Sequence, residues 1–337
     1  MVRHRLTASA ALALALVIMG AACGKDDGSG VRDCGAASAS GSGSGSASGA
    51  ASGSGSGTGS GSGACDSGSG AGSGSGSGIA DDVEGSSTDD PLIKAALADY
   101  TTYVQAQVDD TIAKTRTFTD AVRSGDVAAA KAAYAPSRQG WEAIEPIAGL
   151  IPDIDGAVDS RVDDFEGATD PKFTGWHRLE YLLWEKNTTD GGKPFADGLD
   201  ADLKTLKTKL ADLEIPPGAL AVGAAELIEE VSEGKITGEE DRYSGTDLWD
   251  FAANVSGSEK AFELMKPAIE RKDADLAAGI QSGFEDLERQ LDAYKAGDGY
   301  KPYSALTDAD RTEMKTTLAD LSEKLATVAG TLGLKSS

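Results

Sequence analysis

The chain has 337 residues, with 31 Lys and Arg against 55 Asp and Glu, a formal charge of −24. That acidity excludes an ordinary nucleic-acid binder, which needs a basic face to displace counterions from phosphates. With only 3 Cys, a disulfide scaffold or a thiolate zinc module is excluded as well. From Gly35 to Ala80 the sequence is almost entirely Gly, Ser and Ala. Such a stretch buries too little apolar surface to offset its chain entropy and is expected to stay disordered. Roughly 245 residues remain from Pro91 onward, enough for one large domain or two small ones.

Arg3 and Arg5 precede the apolar run Ala8 to Ala22, which ends in small residues. This reads as a signal peptide over residues 1–22, too short to span a bilayer as a mature helix. Gly20-Ala21-Ala22-Cys23 resembles the lipobox of bacterial lipoproteins, where the Cys is diacylated and becomes the mature N-terminus. It departs at its first position, where Gly20 replaces the usual Leu. The competing reading is a plain secretory signal with a chance Cys. A flexible tether directly after Cys23 favours a lipid-anchored Cys23. Residues 23–90 form that tether, with a root-mean-square reach of about 45 Å. Cys34 and Cys65 lie inside it and can pair in an oxidising compartment, but nothing around them gives such a bond a function.

From residue 91 to residue 337 the pattern is helical. Asp90-Pro91 is an N-cap followed by Pro at the first helical position. Leu97, Tyr100, Val104, Val108, Ile112, Phe118 and Val122 then recur at helical spacing until Gly125. A second helix is expected from Asp126 through Pro136, Trp141, Ile144 and Ile147. Three more periodic segments centre on Leu199–Leu213, Leu276–Leu291 and Met314–Val328, and shorter helices fit Trp176–Glu185, Pro217–Glu233 and Asp247–Ile269. The least regular part is the acidic stretch Ile151–Lys172. No stretch alternates with period two over a strand's length, so the class is all-α, with antiparallel bundle packing.

Once a signal peptide is removed, His177 is the only His. It stands in Gly175-Trp176-His177-Arg178-Leu179-Glu180 on a helix predicted to open near Thr174. His177 and Glu180, three apart, project from one face and can grip a single ion. The spacing is the reverse of the Glu-x-x-His pair of di-iron bundles, although a His and a Glu at this spacing often form only a surface hydrogen bond. Glu142 and Glu145 are a second such pair, interleaved with Trp141 and Ile144, so they adjoin the core. Carboxylates there are costly unless solvated or neutralised by a cation. A third acidic cluster runs from Gly238 to Trp249. Its plainer reading is a solvated loop with Thr246 capping the next helix, and for Glu239 that reading is preferred.

Trp-Glu-x-Ile-Glu-Pro, Gly-x-His-x-x-Glu and Gly-Glu-Glu-x-Arg-Tyr-Ser-x-Thr-Asp-Leu, in this order, resemble the imelysin-like family. More narrowly they resemble its EfeO/EfeM-type lipoproteins of bacterial iron uptake. The resemblance spans residues 91–335 and implies an imelysin-type helical domain. It implies metal binding by His177 and Glu180, and Glu142, Glu145, Asp159 and Glu240 match acidic residues proposed to join them. It also implies delivery of iron to a membrane permease, with a haem-dependent peroxidase in the same system. Relatives often carry His where this chain has Gly245. Longer members have a cupredoxin domain where this chain has the Gly/Ser tether, so the short form is the nearer match.

Three functions follow for comparison. An exported, lipid-anchored iron-binding protein suits one imidazole among carboxylates, a hard set fitting iron, manganese or calcium better than copper(I) or a zinc thiolate site. The negative charge would concentrate cations near the surface, within about 8–10 Å. A zinc peptidase needs a second His on a His-Glu-x-x-His helix, and a Ser or Cys enzyme would have to share His177 with no nucleophile motif beside it. The chain is therefore expected not to be an enzyme. A calcium-assisted polysaccharide-binding protein would need exposed aromatics, and Trp141, Trp176, Trp184 and Trp249 all sit at core-like spacing.

Overall fold

A computed structural model describes residues 86–334, all within the unit Ser67–Ser337. The expected signal peptide, lipid-bearing Cys23, the tether up to residue 85 and the Cys34–Cys65 pair lie outside the described residues.

Ten α-helices are present among the described residues. Helix α1 (Pro91–Ser124) opens on Asp90, whose carboxylate accepts the Leu92 N–H at 3.0 Å, and closes on Gly125 at φ 83°. Asp126 then caps α2 (Val127–Glu142), so a two-residue link turns the chain back antiparallel along α1. The long second helix expected through Ile147 stops at Glu142 and becomes a 3-10 helix, Glu145–Leu150. The cause is Pro146. It has no N–H to give the Glu142 carbonyl, and the Asn254 amide supplies that bond instead at 3.0 Å.

The stretch expected to be irregular holds α3 (Pro152–Val158) before it turns toward α4 (Gly175–Trp184). Then follow α5 (Lys193–Asp212), α6 (Pro217–Glu233), α7 (Asp247–Lys272) and α8 (Ala274–Asp292). A two-residue hairpin, Lys295–Ala296 with Gly299–Tyr300, leads to α9 (Asp308–Ala326) and α10 (Val328–Leu332). It is the only strand pairing among the described residues, and the class is all-α. No described helix is long and apolar enough to cross a membrane.

Helix α7 packs on α1, α2, α6 and α8, while α6 and α8 both pack on α9. It is thus shared by an α1–α2–α5 side and an α6–α8–α9 side. One core joins them, with Tyr100, Phe118, Trp141, Leu206, Phe262 and Phe284 fully buried. Each such side chain contributes about 1.5–3 kcal/mol by leaving water.

Gly175 at the start of α4 has φ 73°, and a Cβ there would lie 2.1 Å from the Val158 carbonyl oxygen. That contact sets the end of α3, hence Asp159, against the helix carrying His177. Gly175→Ala would add both left-handed strain and a backbone clash, so we expect a loss of about 2–4 kcal/mol. Thermal melting of the variant measures it. An unchanged midpoint would contradict the close approach.

Candidate metal centre

The site is built around His177, 2% exposed on α4. One turn later Glu180 is clamped: its Oε1 accepts the backbone N–H groups of Tyr243 (2.9 Å) and Ser244 (2.7 Å), and its Oε2 lies 3.2 Å from His177 Nδ1. The Tyr134 hydroxyl sits 3.3 Å from the same nitrogen and donates to Asp241 Oδ1 at 2.7 Å. The Nδ1 side of the ring is therefore occupied by groups already engaged with one another.

The Nε2 side differs. Asp159 Oδ1 lies 3.5 Å away and Glu240 Oε1 3.7 Å, yet this buried nitrogen makes no hydrogen bond. Asp159 arrives from the end of α3, held by the Trp141 indole N–H at 2.8 Å. Glu240 arrives from the loop before α7. Asp159, His177 and Glu240 offer donor atoms within 4.8 Å of one another, as do His177, Glu180 and Asp241 on the other side of the ring. With Nδ1 facing Glu180, a neutral ring would carry its proton there and present a free lone pair at Nε2. An imidazole nitrogen between two carboxylate oxygens is a hard donor set for a divalent or trivalent cation.

Two buried cations, unremarked in the sequence, hold the carboxylates together. The Arg138 guanidinium on α2, fully buried over the Trp176 ring, pairs with Glu142 and Asp159 and reaches Glu240 (3.2 Å) and Asp250 (3.0 Å). Lys235, 4% exposed, sits 3.1 Å from Glu142 Oε2 and 2.8 and 2.7 Å from the two oxygens of Glu145. Asn254 Nδ2 donates to both carboxylates as well, at 3.0 and 2.6 Å. The structure thus brings Asp159, Glu180 and Glu240 to His177. It places Glu142 and Glu145 around Lys235, and neither shares a donor triad with His177 among the described residues. Arg161 closes the site from outside, 2.9 Å from Glu240 Oε2.

The electrostatics follow this layout. Burial and Arg138 press His177 toward its neutral form, but Asp159, Glu180 and Glu240 outweigh them and hold its pKa well above the usual imidazole value. Burial would raise Asp159, and Arg138 and His177 overcome it, so it stays ionised well below the usual carboxylate range. Glu240 is likewise lowered, against burial, by Lys235, His177 and Arg161. Burial raises Asp155 to about 8, with the Asp159 charge adding to it.

Arg138 was legible in principle as a partner four residues before Glu142, and Asp241 lies inside the third acidic motif. Nothing local to Gly234-Lys235-Ile236 marks Lys235 as buried. Thr246 stands at the N-cap position of α7, as expected, but its side chain makes no capping hydrogen bond: its hydroxyl donates to Asp241 at 2.5 Å. Glu239 is exposed, as its plainer reading has it. Trp141 and Trp176 are fully buried in the core, while Trp184 and Trp249 are partly covered against Tyr134 and Tyr300.

An all-α domain with His177 and Glu180 buried together among acidic residues agrees with the family resemblance of the sequence motifs. Residues 96–328 match the Imelysin family, and the chain belongs to it. Within that family it is similar to the iron uptake system component EfeO of Escherichia coli (strain UTI89 / UPEC) and of Shigella flexneri. It is 47% identical to each over 240 residues, 71% of this chain and 64% of theirs. The chain thus spans a little under two thirds of the length of these relatives.

Proposed function

We propose that this chain is the extracytoplasmic iron-binding component of an Efe-type uptake system, held at the membrane by a lipid on Cys23. In this reading it passes iron to a membrane permease and works alongside a haem-dependent peroxidase. The ion would sit on His177 Nε2 with Asp159 and Glu240. Glu180 would fix the ring through Nδ1, and Asp241 would support it from the same side. The observation that carries the reading is the orphaned, buried Nε2 flanked by two ionised carboxylates at 3.5 and 3.7 Å, in a chain similar to named iron-uptake components. The peptidase reading has less support: no Ser or Cys side chain hydrogen-bonds His177 among the described residues. A polysaccharide platform has less support too, because Trp141 and Trp176 are wholly covered.

The proton balance gives a test. Asp159, Glu180 and Glu240 hold the His177 pKa above the usual imidazole value against burial and Arg138, so wherever the ring is protonated a cation at Nε2 must displace that proton. Asp159 and Glu240 are already ionised and need not lose one. Below the raised His177 pKa, iron affinity should therefore fall about tenfold for each pH unit of acidification, with close to one proton released per ion. Iron titration in competition with manganese, zinc and calcium, at several pH values, measures both. Iron bound with no proton release, or displaced by equimolar calcium, would count against the proposal.

A further inference from the structure

The carboxylates that resemblance groups into one ligand set divide into two seats. One is the His177 seat. The other is filled by the Lys235 ammonium, held at 2.7–3.1 Å by three oxygens of Glu142 and Glu145 and lying 3.8 Å from Glu240 Oε1. That same Glu240 oxygen is 3.7 Å from His177 Nε2. One carboxylate therefore stands between the two seats, as a bridging carboxylate stands in two-metal sites. Asn254 borders the same seat: its Nδ2 donates to both glutamates, and its Oδ1, fully buried, has no hydrogen-bond partner.

We propose that Lys235 is a built-in cation that keeps a second metal seat closed, so that the chain carries one ion rather than a carboxylate-bridged pair. This rests on the His177 reading above and specifies how many ions the site takes. An ammonium and a divalent ion demand similar surroundings, several oxygens with negative charge. They differ in distance, since the oxygens around Lys235 would have to close from hydrogen-bond range to about 2.0–2.6 Å for a bound metal. A tethered ammonium cannot leave. It therefore satisfies Glu142 and Glu145 permanently, removes two of the acidic residues from contact with the cargo, and leaves a smaller ligand set from which an ion can be handed on.

The test counts ions on the full chain, with Mn²⁺ as a redox-quiet probe, by equilibrium dialysis and elemental analysis. The wild type should hold one Mn²⁺ and Lys235→Ala two. Lys235→Arg, which keeps the charge, should hold one. The extra ion should persist when His177→Ala is added to Lys235→Ala and disappear when Glu145→Gln is added instead. Without metal, Lys235→Ala should melt below the wild type, and Mn²⁺ should restore it. If Lys235→Ala binds no more Mn²⁺ than the wild type, or does not recover its fold in Mn²⁺, Lys235 is only a structural counter-charge and the proposal falls. A wild type with no His177-dependent ion would defeat the iron-binding reading separately, because the Lys235→Ala, His177→Ala double variant still reports on the second seat.

Discussion

Replacing Arg138 with Leu is expected to destabilise the ion-free protein by about 3–5 kcal/mol, the range for removing one partner from a buried ionic network. The guanidinium is fully buried and serves Glu142, Asp159, Glu240 and Asp250 at once. Leu fills much of the volume but removes the counter-charge these carboxyls share, leaving Glu142 to Lys235, Glu240 to Arg161 and Asp159 to His177 in a buried volume. A midpoint drop of roughly 6–20 °C follows for a domain of this size. The loss should shrink in the presence of a cation, which would resupply positive charge at Asp159 and Glu240. Denaturant titration of the variant with and without metal checks this. A change below about 1 kcal/mol would mean that the carboxylates are solvated rather than enclosed, as exposed pairs are.

The second large effect falls on binding. His177→Ala removes the only nitrogen donor from the seat and should lower iron affinity at least tenfold, about 1.4 kcal/mol or more. The same variant carries a pH signature in the ion-free state. The folded-state pKa of His177 is raised by Asp159, Glu180 and Glu240 over the opposing effects of burial and Arg138. The stability contributed by that proton is thus fully present below the unfolded value near 6.5 and fades as pH rises through the higher folded value. Wild type and variant should differ most in melting temperature at acid pH and converge as the solution is made alkaline. An ion-free difference constant with pH, together with unaltered iron affinity, would make His177 a packing residue.

Much of the helical order was legible because the apolar residues recur every three or four positions and the ends carry their own signals. Asp90-Pro91 and Gly125 mark α1, Pro217–Glu233 delimits α6 residue for residue, and Thr174 marks the start of α4. The end of α2 was hidden because Ile144 and Ile147 continue the apolar period past the point where Pro146 withdraws its N–H. At the site, the His177–Glu180 spacing was readable as one helix face, since both residues belong to the same turn. The division of the acidic residues between two cations was not. It depends on Arg138 from α2 and on Lys235 from the turn after α6 reaching one buried volume. Helical periodicity reports which face is buried, not which charges meet inside. Charged residues buried as partners break the pattern that identifies a core.

The most direct test of the central claim is X-ray absorption at the iron edge of the iron-loaded full chain, wild type and His177→Ala. Iron held on His177 Nε2 should show a coordination shell of oxygens with one imidazole nitrogen, whose outer-ring scattering is lost in the variant. An all-oxygen shell, unchanged between the two, would contradict it.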